Sequence, residues 1–194
     1  MKLLGNLKQG LVFILSAPAG TGKTTLVQKL VTEFPVVVAN VSYTTRAPRT
    51  GEINGSHYHF VTEADFLARI AKGEFLEYVQ LYGDYYGTSQ LWLEEQLAHG
   101  KHVFLVIDTQ GAKLLKEKIN AIHIFVSPPS LEVLEKRLQS RKTEPESVIQ
   151  KRLDWAKQEM LAKNAYDYLI INDDLDTAYQ VLRSIVIAEE HRIG

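Results

Sequence analysis

A chain of 194 residues, 45% of them hydrophobic, is long enough to fill one core and too short for two independent ones, so a single domain with mobile appendages is expected. Its formal net charge of -1 offers no global attraction to a nucleic-acid backbone, so any anion must be held locally and nucleic acid is not an expected partner. The absence of cysteine excludes both a disulfide framework and a thiolate metal site.

Lys2 and Lys8 precede the apolar run Leu11 to Leu15, and Ala17-Pro18-Ala19 imitates a cleavage site. The run is nevertheless shorter than a secretory core, and Gln9 and Gly10 block its extension. No stretch approaches the length of a membrane-spanning helix, and the protein reads as soluble and cytoplasmic, without a membrane partner.

Residues 11–16 read as a buried strand, directly followed by Ser16-Ala17-Pro18-Ala19-Gly20-Thr21-Gly22-Lys23-Thr24-Thr25, which reads as a phosphate-binding loop. Gly20 and Gly22 let the backbone curl so that successive N–H groups face phosphate oxygens, and the helix that follows adds its positive end. Lys23 would reach the β and γ phosphates of a nucleoside triphosphate, and the Thr24 hydroxyl would take a position on Mg2+. Ala17 stands where the pattern G-x-x-x-x-G-K-[ST] has its first glycine, and a loop position needing positive φ resists alanine. The bland alternative is a glycine-rich turn beside a solvated lysine; the strand before and the helix after oppose it.

Helix 23–34 turns Leu26, Val27, Leu30 and Val31 inward and is closed by Pro35. Residues 36–41 form a second β-rich run, and 42–52 lose all periodicity and read as a loop. Short strands at 58–61 and 75–81 flank a helix beginning at Thr62, where Thr62 and Asp65 have capping-box spacing. They predict a small β-containing insertion. Helix 89–99, ended by Gly100, precedes apolar strand 103–107, which ends at Asp108. Strand 122–126 is halted by Pro128 and Pro129, helix 131–141 follows, and residues 143–146 open a helix running toward Lys163. Strand 168–171 and helix 175–190 complete the chain. The alternation predicts an α/β fold, a doubly wound parallel sheet with ligand at the carboxyl ends of its strands, where the phosphate loop and Asp108 both fall.

A phosphate loop does not by itself separate motors, switches and kinases. On residue type alone, Arg46 and Arg49 are either surface arginines or a fork for phosphate oxygens. Glu77 is an exposed strand residue, Tyr86 a sheet-face aromatic, and Arg137, Arg141 and Arg152 a charged solvent face. Together, however, these features resemble the guanylate kinase family, from the first strand to the last helix. The resemblance rests on the phosphate loop, Ser42-Tyr43-Thr44-Thr45-Arg46-Ala47-Pro48-Arg49-Thr50-Gly51-Glu52, Gly83-Asp84-Tyr85-Tyr86-Gly87-Thr88, Ile107-Asp108-Thr109-Gln110-Gly111 and Asn172-Asp173-Asp174.

That resemblance implies a P-loop kinase of purine nucleotide metabolism that transfers a phosphoryl group from ATP to GMP, giving ADP and GDP, with Mg2+ as cofactor. It leaves use of dGMP and the oligomeric state open. It divides the chain into a core (about 1–41, 89–136 and 164–194), a GMP-binding region (about 42–88) and a helical lid (about 137–163). ATP falls to Ala17, Pro18, Ala19, Gly20, Thr21, Gly22, Lys23, Thr24 and Thr25, with Arg137, Arg141 and Arg152 clamping its phosphates, Arg141 near the adenine, and Asn172 on the adenine side. GMP phosphate falls to Arg46, Arg49, Tyr58 and Tyr86, and guanine to Ser42, Glu77 and Thr88. Asp108 is left to orient metal-bound water or a substrate group. Family members often carry Asp-Ile-Asp where this chain has Val106-Ile107-Asp108, and a glycine where Lys142 follows Arg141.

Guanine presents an N1–H beside an exocyclic amine, and one ionised carboxylate accepts from both; adenine would leave Glu77 desolvated and unpaired. GMP attacks through an oxygen already anionic, so no general base is needed and the six histidines require no catalytic role. Competing readings are a GTP switch, suggested by Asp108-Thr109-Gln110-Gly111 but lacking N-K-x-D; a non-catalytic scaffold module, opposed by Lys23 and Thr24; and a kinase for another monophosphate, opposed by Glu77 and Ser42.

Overall fold

The computed structural model describes residues 2–81, 83–140 and 146–193. In chain order the elements are β1 (Val12–Ser16), α1 (Lys23–Glu33), β2 (Val37–Ala39), β3 (Tyr43–Thr44), β4 (His59–Phe60), α2 (Glu63–Ala71), β5 (Phe75–Leu81), β6 (Asp84–Ser89), α3 (Gln90–Ala98), β7 (His102–Val106), α4 (Thr109–Leu115), β8 (Ile122–Ser127), α5 (Leu131–Ser140), α6 (Glu146–Leu161), β9 (Tyr168–Ile171) and α7 (Leu175–Glu190). A five-stranded sheet of order β2-β7-β1-β8-β9, parallel at every pairing, forms the centre.

Both faces of that sheet are covered, which is why its strands read as continuous apolar runs. Along β1 the side chains alternate: Val12 and Ile14 pack with Leu93 of α3 and Ala112 and Leu115 of α4. Phe13 and Leu15 point the other way, among Leu26 and Leu30 of α1 and Leu182 and Val186 of α7. Phe13 stacks on Phe104 with ring centroids 4.9 Å apart. The last turn of α7 is tied to the chain's beginning by the buried Glu190, whose carboxylate accepts from the backbone N–H groups of Gly5 and Asn6, from the Asn6 amide, and from His102 Nε2 at 2.5 Å. His102 Nδ1 accepts from Leu11 N, so the ring proton sits on Nε2.

A second sheet, of order β4-β3-β6-β5, contains the insertion, and three elements in the chain depart from the expectations above. Tyr43–Thr44, read as loop, is strand β3, because Tyr43 and Thr44 pair with Gly87 and Tyr86 and the buried Thr44 hydroxyl donates to Tyr85 O. Two residues are too few to show a period. Residues 84–89 form β6, which pairs with β5 as far as Leu81 and Asp84. Helix α4 was not expected: it has seven residues with a glycine inside, and its start is specified by Asp108, whose Oδ1 accepts from Gly111 N at 2.9 Å. By contrast, Thr62 caps α2 as its spacing foretold.

Helices α5 and α6 bury their own apolar seam, Leu134 and Leu138 against Ile149, Leu153 and Ala156. Arg141 and Lys142 lie outside the described residues. Among the described residues no helix is long and apolar enough to cross a membrane.

Candidate active site

The loop between β1 and α1 is shaped by backbone that side chains resist. Gly20 and Gly22 have φ of 94° and 92°, and a Cβ on Gly22 would stand 2.7 Å from the Asn172 amide nitrogen. Ala17, in the first-glycine position, is buried. Helices α2, α3, α4 and α7 are capped by the side chains of Thr62, Ser89, Asp108 and Asp174, whereas α1 has no side-chain cap and no acidic residue in its first turn. Its leading N–H groups are therefore left facing the loop's concavity, a placement that suits an anion. The Lys23 ammonium curls back over the loop to hydrogen-bond Ala17 O and lies 3.5 Å from Pro18 O. Thr24 is exposed on the first turn.

Asn172 and Arg137 stand together behind this loop. The buried Asn172 amide donates to Thr21 O at 2.6 Å, while Arg137 donates to Asn172 O at 2.8 Å and Asp173 O at 3.1 Å. Arg137, Asn172 and the phosphate loop are thus one hydrogen-bonded chain at the carboxyl end of β9, and the Asn172 amide braces the loop backbone.

Across the sheet edge, β5 and β6 bring Glu77 and Thr88 together. Glu77 is only 4% exposed, unlike the exposed strand residue its type suggests, because α4 packs over it. Its Oε1 accepts from Thr88 Oγ1 at 2.7 Å. A Cβ on Gly111 would lie 3.1 Å from Glu77 Oε2 and 3.3 Å from Asp108 Oδ1, so the two carboxylates converge where that glycine leaves room. Burial, with the Asp108 charge adding to it and the Thr88 hydrogen bond opposing, pushes Glu77 up to about 7. Burial likewise raises Asp108, against the hydrogen bonds at the start of α4. Asp108 Oδ2 is buried without a hydrogen-bond partner among the described residues. Ser42 immediately precedes β3, whose first residue, Tyr43, is in register with Gly87, the neighbour of Thr88.

A cationic cluster lies on the same insertion. Arg46 is held over the rings of Tyr58 and Phe60, at 5.4 and 5.7 Å, with its Nη2 donating to both Glu52 oxygens at 2.9 Å. Glu52 also accepts from Arg49 N at 2.6 Å, and Tyr86 packs edge-on against Tyr58. The Arg49 side chain is on the exposed side. Glu52, which is not among the residues expected at the site, organises both arginine segments, and its place three and six residues beyond them is the signal the sequence carries.

Arg152 sits half-buried on α6, the helix that also carries Glu159. Glu159 is 6% exposed, and burial pushes it up to about 7 within the fields of Lys23 and Asp108. Nothing in the polar sequence around it marked it. Among the described residues no three His, Asp or Glu side chains converge to hold a metal alone. The Thr24 hydroxyl and the Asp108 carboxylate are oxygen groups of the kind that hard cations take.

The chain is similar to known proteins in both sequence and fold. The profile of the family "Guanylate kinase" matches residues 9–189. A guanylate kinase of Protochlamydia amoebophila is 60% identical over 194 residues, covering 100% of this chain and 98% of the relative. One from Chlamydia felis is 50% identical over 182 residues, 93% and 89% of the two chains. The crystal structure of guanylate kinase from Anaplasma phagocytophilum is similar with a TM-score of 0.80 at 33% identity, covering 95% of this chain and 88% of that one.

Proposed function

Because the chain belongs to the guanylate kinase family, we propose that its two facing half-sites carry ATP-dependent phosphorylation of GMP to GDP. Residues 42–88 form the GMP-binding region and residues 137–163 the lid. The observation that supports this reading most directly is the buried Glu77, an acceptor whose Oε1 takes the Thr88 hydroxyl while its Oε2 lies beside Gly111. Guanine supplies the missing donors, N1–H and the 2-amine, while adenine presents no such paired edge and would leave the carboxylate buried and unpaired. Ser42 and Thr88 complete the base pocket. Arg46, Arg49, Tyr58 and Tyr86 take the GMP phosphate, with Glu52 pre-setting the fork of Arg46.

On the other side, residues 17–25 wrap the ATP phosphates with backbone N–H groups and the uncapped start of α1. Lys23 leaves the loop carbonyls to meet the β and γ phosphates. Arg137, Arg141 and Arg152 close from the lid, and Asn172 supports both the loop and the adenine side. Thr24 would hold Mg2+ and Asp108 would orient its bound water or a substrate group, and the ion would supply charge neutralisation on the phosphates. The GMP phosphate oxygen attacks in line without a general base, so the chain's task is to hold two polyanions together and spread the charge on the transferred group. Lid closure keeps water from intercepting it.

A coupled assay with ATP and Mg2+ and each of GMP, AMP, UMP and dTMP tests this function. Turnover with GMP and little with the others is expected; equal turnover of AMP would refute the role of Glu77, and a folded protein that forms no diphosphate would refute the whole reading.

A further inference from the structure

Two residues before Ser42 stands Asn40, at the end of β2. Its backbone N–H donates to Phe104 O at 2.9 Å, one residue past the last β2–β7 pair, which anchors it to the central sheet. Its side chain reaches toward the second sheet, where Nδ2 donates to Ser42 Oγ at 3.0 Å. Ser42 is fixed from another side as well, its carbonyl accepting from His59 N at 2.9 Å. A serine hydroxyl carries one proton and two lone pairs and rotates to suit its partners. With the Asn40 N–H on one lone pair, the hydroxyl proton turns away from Asn40. We propose that Asn40 is a specificity-determining positioning residue that holds the Ser42 hydroxyl as a donor, so that the pocket favours a purine with a carbonyl at C6 over one with an amine there.

This rests on the reading that Ser42 faces the base. It is separate from the part played by Glu77, because the carboxylate reads the N1 and 2-amine edge and the hydroxyl reads the atom on C6. Two polarities then have to match at once.

Asn40→Asp replaces the donor with a carboxylate that accepts the Ser42 proton and leaves only lone pairs toward the base. The KM for GMP should rise about tenfold or more while kcat stays within about twofold. Inosine 5′-monophosphate, which keeps the C6 carbonyl and lacks the 2-amine, should weaken by the same factor. Asn40→Ala removes the donor without adding charge, and should raise the KM for GMP by a smaller factor and narrow the preference for GMP over AMP; it carries the test should the aspartate variant fail to fold by circular dichroism. In a Ser42→Ala background no hydroxyl remains to orient, and adding Asn40→Ala should then change the KM by less than about twofold. A full effect of Asn40→Ala in that background, or no effect of either Asn40 variant alone, would overturn the proposal. An unchanged KM in Ser42→Ala by itself would instead remove Ser42 from the base, a separate failure that takes the parent reading with it.

Discussion

Replacing Glu77 by glutamine preserves the shape of a buried side chain and removes its charge, and the surroundings of Glu77 assign that change opposite effects on stability and turnover. In the unfolded chain this glutamate titrates near 4.5, and in the fold near 7. The folded state therefore keeps its proton longer: the stability associated with the neutral form is fully present below pH 4.5 and is lost as pH rises through 7. That gap corresponds to about 3 kcal/mol of destabilisation at pH 8. Glutamine does not ionise, Thr88 can still donate to its oxygen, and its amide can donate toward Asp108. The variant should thus be more stable than the parent at pH 8 by up to about 3 kcal/mol, or roughly 5–10 °C in Tm, with the difference shrinking to under about 1 kcal/mol at pH 5. Binding changes the other way. Two hydrogen bonds to a charged acceptor are lost and an amide donor is turned toward guanine donors, so the KM for GMP should rise by about 100- to 1000-fold while the KM for ATP changes little. Below about pH 7 the parent must also release a proton to bind GMP, so its KM should climb; the variant lacks that dependence and controls for titration of the GMP phosphate itself. Thermal melts at pH 5 and 8 and a coupled assay across pH 6–8 read both effects. A Tm difference that is the same at both pH values, or equal losses for GMP and ATP, would refute the reasoning.

Other outcomes follow from the same geometry. Lys23→Ala should lower kcat by about three orders of magnitude while calorimetry still detects GMP binding; near-normal turnover would remove the loop lysine from the mechanism. Arg46→Lys keeps the charge but loses the fork whose Nη2 donates to Glu52 and Nη1 to Ala47 O, so the KM for GMP should rise about tenfold, and an unchanged value would make Arg46 a surface residue. Gly22→Ala places a Cβ 2.7 Å from the Asn172 amide at φ of 92°, and should lower stability by about 1–2 kcal/mol in denaturant unfolding and raise the KM for ATP. Burial raises Glu190, but its hydrogen bonds from Gly5, His102 and Asn6 outweigh that and bring it down to about 2, so its stabilisation is present above pH 4.5 and lost as pH falls toward 2. In acid titrations followed by circular dichroism, Glu190→Gln should unfold with a shallower dependence on pH across that window.

What the sequence determined by itself lies where neighbouring residues make the structure. The run Leu11 to Leu15, the glycines at 20 and 22 and the apolar face of Leu26, Val27 and Leu30 are contiguous, and their strand, turn and helix follow from local sterics and periodicity. Thr62 and Asp65 announce a cap for the same reason. The alternation of such segments was enough for a parallel sheet. Only the tertiary structure decided the rest. Tyr43 and Thr44 are a strand because Gly87 and Tyr86 lie beside them. Glu77 is buried because α4 covers it, Glu52 and Asn40 act by aiming Arg46 and Ser42, and Asn172 braces a loop 151 residues earlier. A side chain's type states what it can donate or accept. How far it is withdrawn from water, and which partner stands within 3 Å, are set by chain segments that meet only after folding, and those two quantities determine its charge and its function.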